Sequence, residues 1–179
     1  MTDALNDRIA ALEAEGAIRR LVARYMEICD VLDADAPMAE LGALFTEEAT
    51  WQGAGAKYDA AFGGHQGRDA IVAFLNGYRE PAPHFAANAH FLTSESITVD
   101  GEVAEGSWVM LQTPTFADGA SFLMAARLNL AFKIEDGRWR IHRFATENLF
   151  SRPVDGGWNI DAAIPVPQGP VPQANLKGQ

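Results

Sequence analysis

Two Asp-Gly pairs constrain this chain more than any other feature. Asp100-Gly101 separates the run Ala87–Val99 from Val103–Thr113, and Asp136-Gly137 separates Ser121–Ile134 from Arg138–Asn148. A two-residue hairpin loop needs positive φ at its central positions, which Asp and Gly tolerate. A third turn, Ala117-Asp118-Gly119, joins the two hairpins. Within the runs the side chains alternate: Trp108 and Met110 share one face, Val109 and Leu111 the other. Phe122, Met124, Leu128, Leu130 and Phe132 form an apolar face, with Arg127 and Asn129 opposite. A period of two is the strand signature, so the second half of the chain folds as hairpin-linked antiparallel strands.

The first half has a different period. Ile18, Leu21, Val22, Tyr25, Cys29 and Leu32 recur at helical spacing and make one apolar stripe. Ile9 and Leu12 extend that helix upstream, and Gly16 is a place for a kink, since Gly costs ~1 kcal/mol relative to Ala there. Asp35, followed by Ala36-Pro37, reads as the N-cap and first turn of a second helix carrying Met38, Leu41, Leu44 and Phe45. A short strand is expected at Ala49–Gln52. Gly53–Gly67, rich in Gly and Ala, reads as a long loop and a candidate pocket flap. Ile71, Phe74, Leu75 and Tyr78 place a third helix over Asp69–Tyr78, closed by Pro81 and Pro83. Helices followed by hairpins give an α+β fold: a curved antiparallel sheet with the helices packed into its concave face.

With 179 residues, 48% of them hydrophobic, the chain suits one domain with a sizeable core. The expected division is a domain over residues 1–150 and a Pro-rich tail over 151–179, where Pro-Val-Pro-Gln is nearly repeated. A formal charge of −10 argues against nucleic acid and against an anionic membrane as partners. Arginines cluster only at Arg19/Arg20/Arg24 and Arg138/Arg140/Arg143, inside amphipathic patterns. The single cysteine, Cys29, rules out an intrachain disulfide and fits a reducing cytoplasm; its place on the stripe suggests an inert buried thiol. The acidic N-terminus lacks the basic start and apolar run of a signal peptide, and no apolar run approaches the ~20 residues of a membrane span.

No Gly-rich phosphate cradle, nucleophile elbow or zinc-ligand spacing is present, and the four histidines are dispersed. The chemistry-bearing candidates are Tyr25 and Asp30, late in the first helix, and His90, on the first long strand. Each has a bland alternative: a core tyrosine, a solvated carboxylate and a structural histidine. If a helix in the concavity brings them together, the carboxylate holds the imidazole in one tautomer. The phenol can then donate to a developing enolate, a set suited to removing a proton alpha to a carbonyl. Arg143 is a candidate for a substrate oxygen or carboxylate, against a rim arginine as the alternative. Trp51, Phe74 and Trp108 are candidate pocket walls or, equally, core.

The segments AIRRLVARYMEICD, ALFTEEATW and HQGRDAIVAF, with NAHFLTSESITVDG and EDGRWRIHR later, resemble the SnoaL-like branch of the nuclear transport factor two-like superfamily over residues 8–150. Within it the chain looks most like the scytalone dehydratase and bile acid dehydratase group, with hexachlorocyclohexane dehydrochlorinase alongside. That resemblance implies a cone-shaped α+β barrel with a deep pocket, no metal and no organic cofactor, and a homo-oligomer, often a trimer, with a dimer as the alternative. It assigns the helix aspartate to Asp30, the strand histidine to His90 and the pocket tyrosine to Tyr25. Arg143 stands near a basic position of the last strand. The implied function is a cofactor-independent lyase or isomerase of the dehydratase kind, acting on a small hydrophobic, cyclic compound. The alternative is a non-catalytic ligand-binding module, such as the small subunits of ring-hydroxylating dioxygenases. The segment after Asp30, the stretch 53–66 and the Pro-rich tail depart from the family pattern.

Overall fold

The computed structural model describes residues 2–156 and Trp158; the rest of the tail expected over 151–179 lies outside the described residues. Helix α1 spans Thr2–Asp30 and runs unbroken through Gly16. Its stripe is the centre of the core: Ile18, Val22, Tyr25, Ile28 and Cys29 are all buried. Helix α2, Met38–Ala43, is shorter than its apolar pattern suggested, and Pro37 rather than Asp35 occupies its N-cap. The Asp35 backbone N–H instead donates to Asp33 Oδ1 at 2.9 Å, a turn within the connecting segment.

Phe45, expected in that helix, opens strand β1, Phe45–Ala54. The stretch read as a loop is ordered by two elements: helix α3, Gly55–Phe62, and strand β2, Gly64–Gln66. It resisted a helical reading because seven of its first eleven residues are Ala or Gly and no apolar stripe forms. Tertiary contact supplies what periodicity does not. Helix α4 follows over Arg68–Asn76.

The expected strand 87–99 is split. Strand β3, Phe85–Ala87, pairs with β6, Thr115–Phe116, as a separate small sheet. Strand β4, His90–Asp100, begins the long hairpins with β5, Val103–Gln112, β7, Phe122–Glu135, and β8, Arg138–Pro153. Strand β8 thus continues past Asn148 and across the expected start of the tail at Ser151, pairing Met124 with Ser151 and Phe122 with Pro153. The main sheet has the order β2-β1-β8-β7-β5-β4. It is antiparallel except for β1 on β8, which is parallel because the helical segments carry the chain across between them. At the second Asp-Gly pair, Asp136 and Gly137 have φ of 52° and 72°, as a type I′ turn requires.

Two bulges decide which side chains enter the concavity. Ser94, at φ 51°, marks a break in the β4–β5 register between Thr93 and Ser96. Before it His90 and Leu92 point inward; after it Ile97 and Val99 do. A second bulge lies between Ile141 and Arg143 on β8, so that Ile141 and Phe144 are both buried. The concave face is covered by α1, which lies against β4 and β8, while α3 and α4 pack on β1.

Candidate active site

Asp30 is the last residue of α1, where the helix meets the mouth of β4. Its Oδ1 lies 2.6 Å from His90 Nδ1, a short, well-formed contact. The pair is sheltered without being sealed: the side chains are 26% and 10% exposed respectively. A carboxylate accepts, so Nδ1 carries the proton and Nε2 is left with its lone pair in the neutral ring. Nε2 makes no hydrogen bond among the described residues, and the ring lines a cavity of about 290 Å³ enclosed between α1, α3, α4 and the sheet.

The segment after Asp30 is held from outside. Arg79, just beyond α4, donates to the backbone carbonyls of Asp33 at 2.9 Å and Ala34 at 2.6 Å. This pins the turn that follows the aspartate.

Tyr25, one and a half turns upstream, is buried and lines the same cavity. Its hydroxyl oxygen accepts a 3.1 Å hydrogen bond from Trp51 Nε1. The hydroxyl also meets the Cys29 side chain, and its O–H is the donor of the group. Burial holds its pKa well above 10, so the group is a neutral phenol at physiological pH. Cys29, a turn later, also lines the cavity, and burial pushes its thiol up to about 12. It is therefore a neutral, inert thiol.

Aromatic side chains make the walls. Trp51 stacks on Phe144 at 5.6 Å and lies 4.8 Å from Phe74. Tyr58 and Phe62 reach in from α3, so the 53–66 stretch does line the pocket, as a helix. Tyr78, His84, Phe85 and Phe116 form the wall beside the small sheet. Trp51 and Phe74 are thus cavity residues.

Two candidates are not. Trp108 is only 2% exposed but sits apart from the cavity, edge-on to Phe132, with its Nε1 donating to Glu95 at 3.2 Å. Arg143 lies on the outer face, 47% exposed and 3.9 Å from Glu105. The bulge at His142 separates Arg143 from the face of Ile141, which simple alternation had given it. Arg127 and Asn129 are exposed on the outer side as well.

Two site residues had no signal of their own in the sequence. Asn88 Nδ2 donates to the Cys29 carbonyl at 3.3 Å, and Gln112 Nε2 donates to Asn88 Oδ1 at 2.9 Å. Gln112 is directly opposite His90 in the β4–β5 ladder, and both amides line the cavity. Asn88 was readable only as sharing a strand face with His90. Gln112 needed the register, which the Ser94 bulge shifts. Among the described residues no three His, Cys, Asp or Glu side chains group as a metal site does, and no helix is long and apolar enough to cross a membrane.

Solved structures share this architecture. A nuclear transport factor two-like protein with a cystatin-like fold from Novosphingobium aromaticivorans is 24% identical, with a TM-score of 0.66 over 86% of this chain and 90% of that one. The hexachlorocyclohexane dehydrochlorinase LinA-type3 from Novosphingobium barchaimii is 18% identical, with a TM-score of 0.67 over 81% and 92%. A Novosphingobium aromaticivorans protein that carries the provisional name scytalone dehydratase is 20% identical, with a TM-score of 0.65 over 94% and 99%. At these identities the likeness is one of fold. No curated protein sequence matches the chain. The model of the SnoaL-like domain matches residues 10–145, from the first helix to the last strand. With helices closing the concave face of a six-stranded curved sheet over that same span, the chain belongs to the SnoaL-like family of the nuclear transport factor two-like superfamily.

Proposed function

We propose that the protein is a cofactor-independent lyase or isomerase of the dehydratase kind, acting on a small hydrophobic, cyclic carbonyl compound. The observation that carries this reading is the 2.6 Å contact between Asp30 and His90 at the wall of an aromatic cavity. His90 Nε2 is the base that takes a proton alpha to the carbonyl. Asp30 keeps the proton on Nδ1 and stabilises the imidazolium that forms. The Tyr25 phenol donates to the carbonyl oxygen as negative charge develops there. In an elimination the imidazolium returns its proton to the departing hydroxyl, so water leaves and a conjugated double bond remains. In an isomerisation the same proton returns to a different carbon. Neither route calls on a metal or an organic cofactor.

The cavity supports a substrate of one or two rings. At about 290 Å³ it falls at the small end of ligand pockets, which run ~300–1,000 Å³. Its walls are largely aromatic, and Asn88 and Gln112 set amides beside His90.

The proposal extends to assembly as a homo-oligomer, with a trimer preferred to a dimer. It is supported by Phe91, Leu111, Ala125 and Phe150, which align laterally across four strands on the outer face of the sheet. Phe91 and Phe150 there are 52% and 46% exposed.

The test of the activity is a panel of cyclic β-hydroxy ketones, followed by the absorbance of the conjugated product. Wild type is expected to dehydrate at least one, and His90→Ala and Asp30→Asn each to turn over ~10²-fold more slowly or worse with the fold intact. Near-wild-type turnover in both variants contradicts the reading. Tight binding of the panel without turnover by wild type favours the ligand-binding module instead.

A further inference from the structure

The polarity of the amide pair beside His90 is set by a backbone carbonyl. The fixed point is the carbonyl of Cys29 at the C-terminal end of α1. A backbone carbonyl only accepts, so the Asn88 atom 3.3 Å from it is its NH₂. Turning Asn88 over would set oxygen against oxygen. Asn88 therefore presents Oδ1 to Gln112, and Gln112 must answer with its own NH₂, at 2.9 Å. What remains of Gln112 is Oε1, an acceptor that makes no hydrogen bond among the described residues. Gln112 lines the cavity and faces His90 across the ladder, where directly opposed Cβ atoms lie ~4.5–5.5 Å apart.

We infer that Gln112 is a specificity-determining residue, whose Oε1 accepts a hydrogen bond from a ring hydroxyl that the substrate keeps through the reaction. The inference rests on the carbonyl reading above and narrows its substrate class to cyclic hydroxy-carbonyl compounds. The cavity then carries two opposite demands. The Tyr25 phenol, its oxygen engaged by Trp51 and its hydroxyl beside the Cys29 thiol, offers a donor, which the carbonyl oxygen can take from that thiol. Gln112 requires a donor. A hydroxyl retained on the ring keeps this contact from substrate to product, whereas a departing one carries it away with the water. The retained hydroxyl is thus a binding group, separate from the one that leaves. A site built this way discriminates strongly, since a ligand lacking the hydroxyl leaves a sheltered amide oxygen without a partner.

The experiment is calorimetric binding of 1-tetralone, its ring-hydroxylated isomers and their methyl ethers to wild type, Gln112→Met, Asn88→Ala and Tyr25→Phe. The expected result is that at least one hydroxylated isomer binds wild type about tenfold more tightly than 1-tetralone, while its methyl ether gains nothing. That ratio is expected to collapse towards one in Gln112→Met, which keeps the chain length and loses the acceptor. It falls also in Asn88→Ala, where the Gln112 amide is free to turn. The absence of a preferred hydroxylated isomer, or a ratio that survives in Gln112→Met, overturns the inference. Tyr25→Phe separates the two layers of the argument. If 1-tetralone binds wild type and weakens in Tyr25→Phe, the carbonyl reading stands whatever Gln112 does. If 1-tetralone does not bind wild type at all, the carbonyl reading falls and this inference falls with it.

Discussion

At the scale of single residues, hydrogen bonds set the polarity of the site's groups. Asp30 occupies His90 Nδ1, which leaves Nε2 as the lone-pair nitrogen of the neutral ring. Trp51 donates to the Tyr25 oxygen. The Cys29 carbonyl orients Asn88 and, through it, Gln112. Cys29 itself has a pH signature. Its thiol rises from an ordinary 9.0 to about 12 on burial, so the folded protein holds a proton that the unfolded chain releases above pH 9. The raised value contributes stability fully below pH 9 and loses it as pH climbs from 9 towards 12, by up to ~1.4 kcal/mol per pH unit. Urea unfolding of wild type and Cys29→Ala between pH 8 and 10 is expected to give a flatter alkaline slope in the variant. Parallel slopes contradict the neutral buried thiol.

At the scale of elements, the positions that the sequence reading placed well are those where the regular period is unbroken. Tyr25 is central to a helical stripe, and the Asp-Gly pairs announce their hairpins. Asp30 and His90 were legible because a helix end and a strand start meet by topology. Arg143 and Trp108 were placed by alternation or by aromatic character alone. Alternation fails for Arg143, because the bulge at His142 intervenes before it. Trp108 is inward-facing but is taken up by Glu95 and Phe132 rather than by the cavity. Helix α3 was illegible for another reason: its support is contact with β1, where periodicity leaves no trace. A Cβ at Gly53 would sit 2.2 Å from the Tyr58 carbonyl oxygen, so β1 and α3 approach backbone to backbone. Gly53→Ala is expected to push α3 outward, cost about 1–3 kcal/mol in chemical denaturation and weaken ligand binding through Tyr58 and Phe62. Unchanged stability and binding contradict that packing.

At the scale of the whole molecule, a single curved sheet serves two surfaces. Its concave side, lined by α1, α3 and α4, holds the aromatic cavity. Its outer side carries the row from Phe91 through Leu111 and Ala125 to Phe150, with the two phenylalanines exposed at its ends. Sedimentation is expected to give an assembly of three chains for wild type and monomers for Phe91→Glu combined with Phe150→Glu. A monomeric wild type contradicts the assembly proposal without touching the chemistry. The end of α1 is held from two sides, Asp30 by His90 on β4 and the following turn at Asp33 and Ala34 by Arg79 beyond α4.

The central claim is that His90, held by Asp30, removes a proton alpha to a bound carbonyl, and it can be tested before the natural substrate is known. The measurement is exchange of the α-hydrogens of 1-tetralone in D₂O, followed by proton NMR. The account predicts exchange well above buffer with wild type, reduced ~10²-fold or more in both His90→Ala and Asp30→Asn. Exchange by wild type no faster than buffer, or unchanged in both variants, would contradict it.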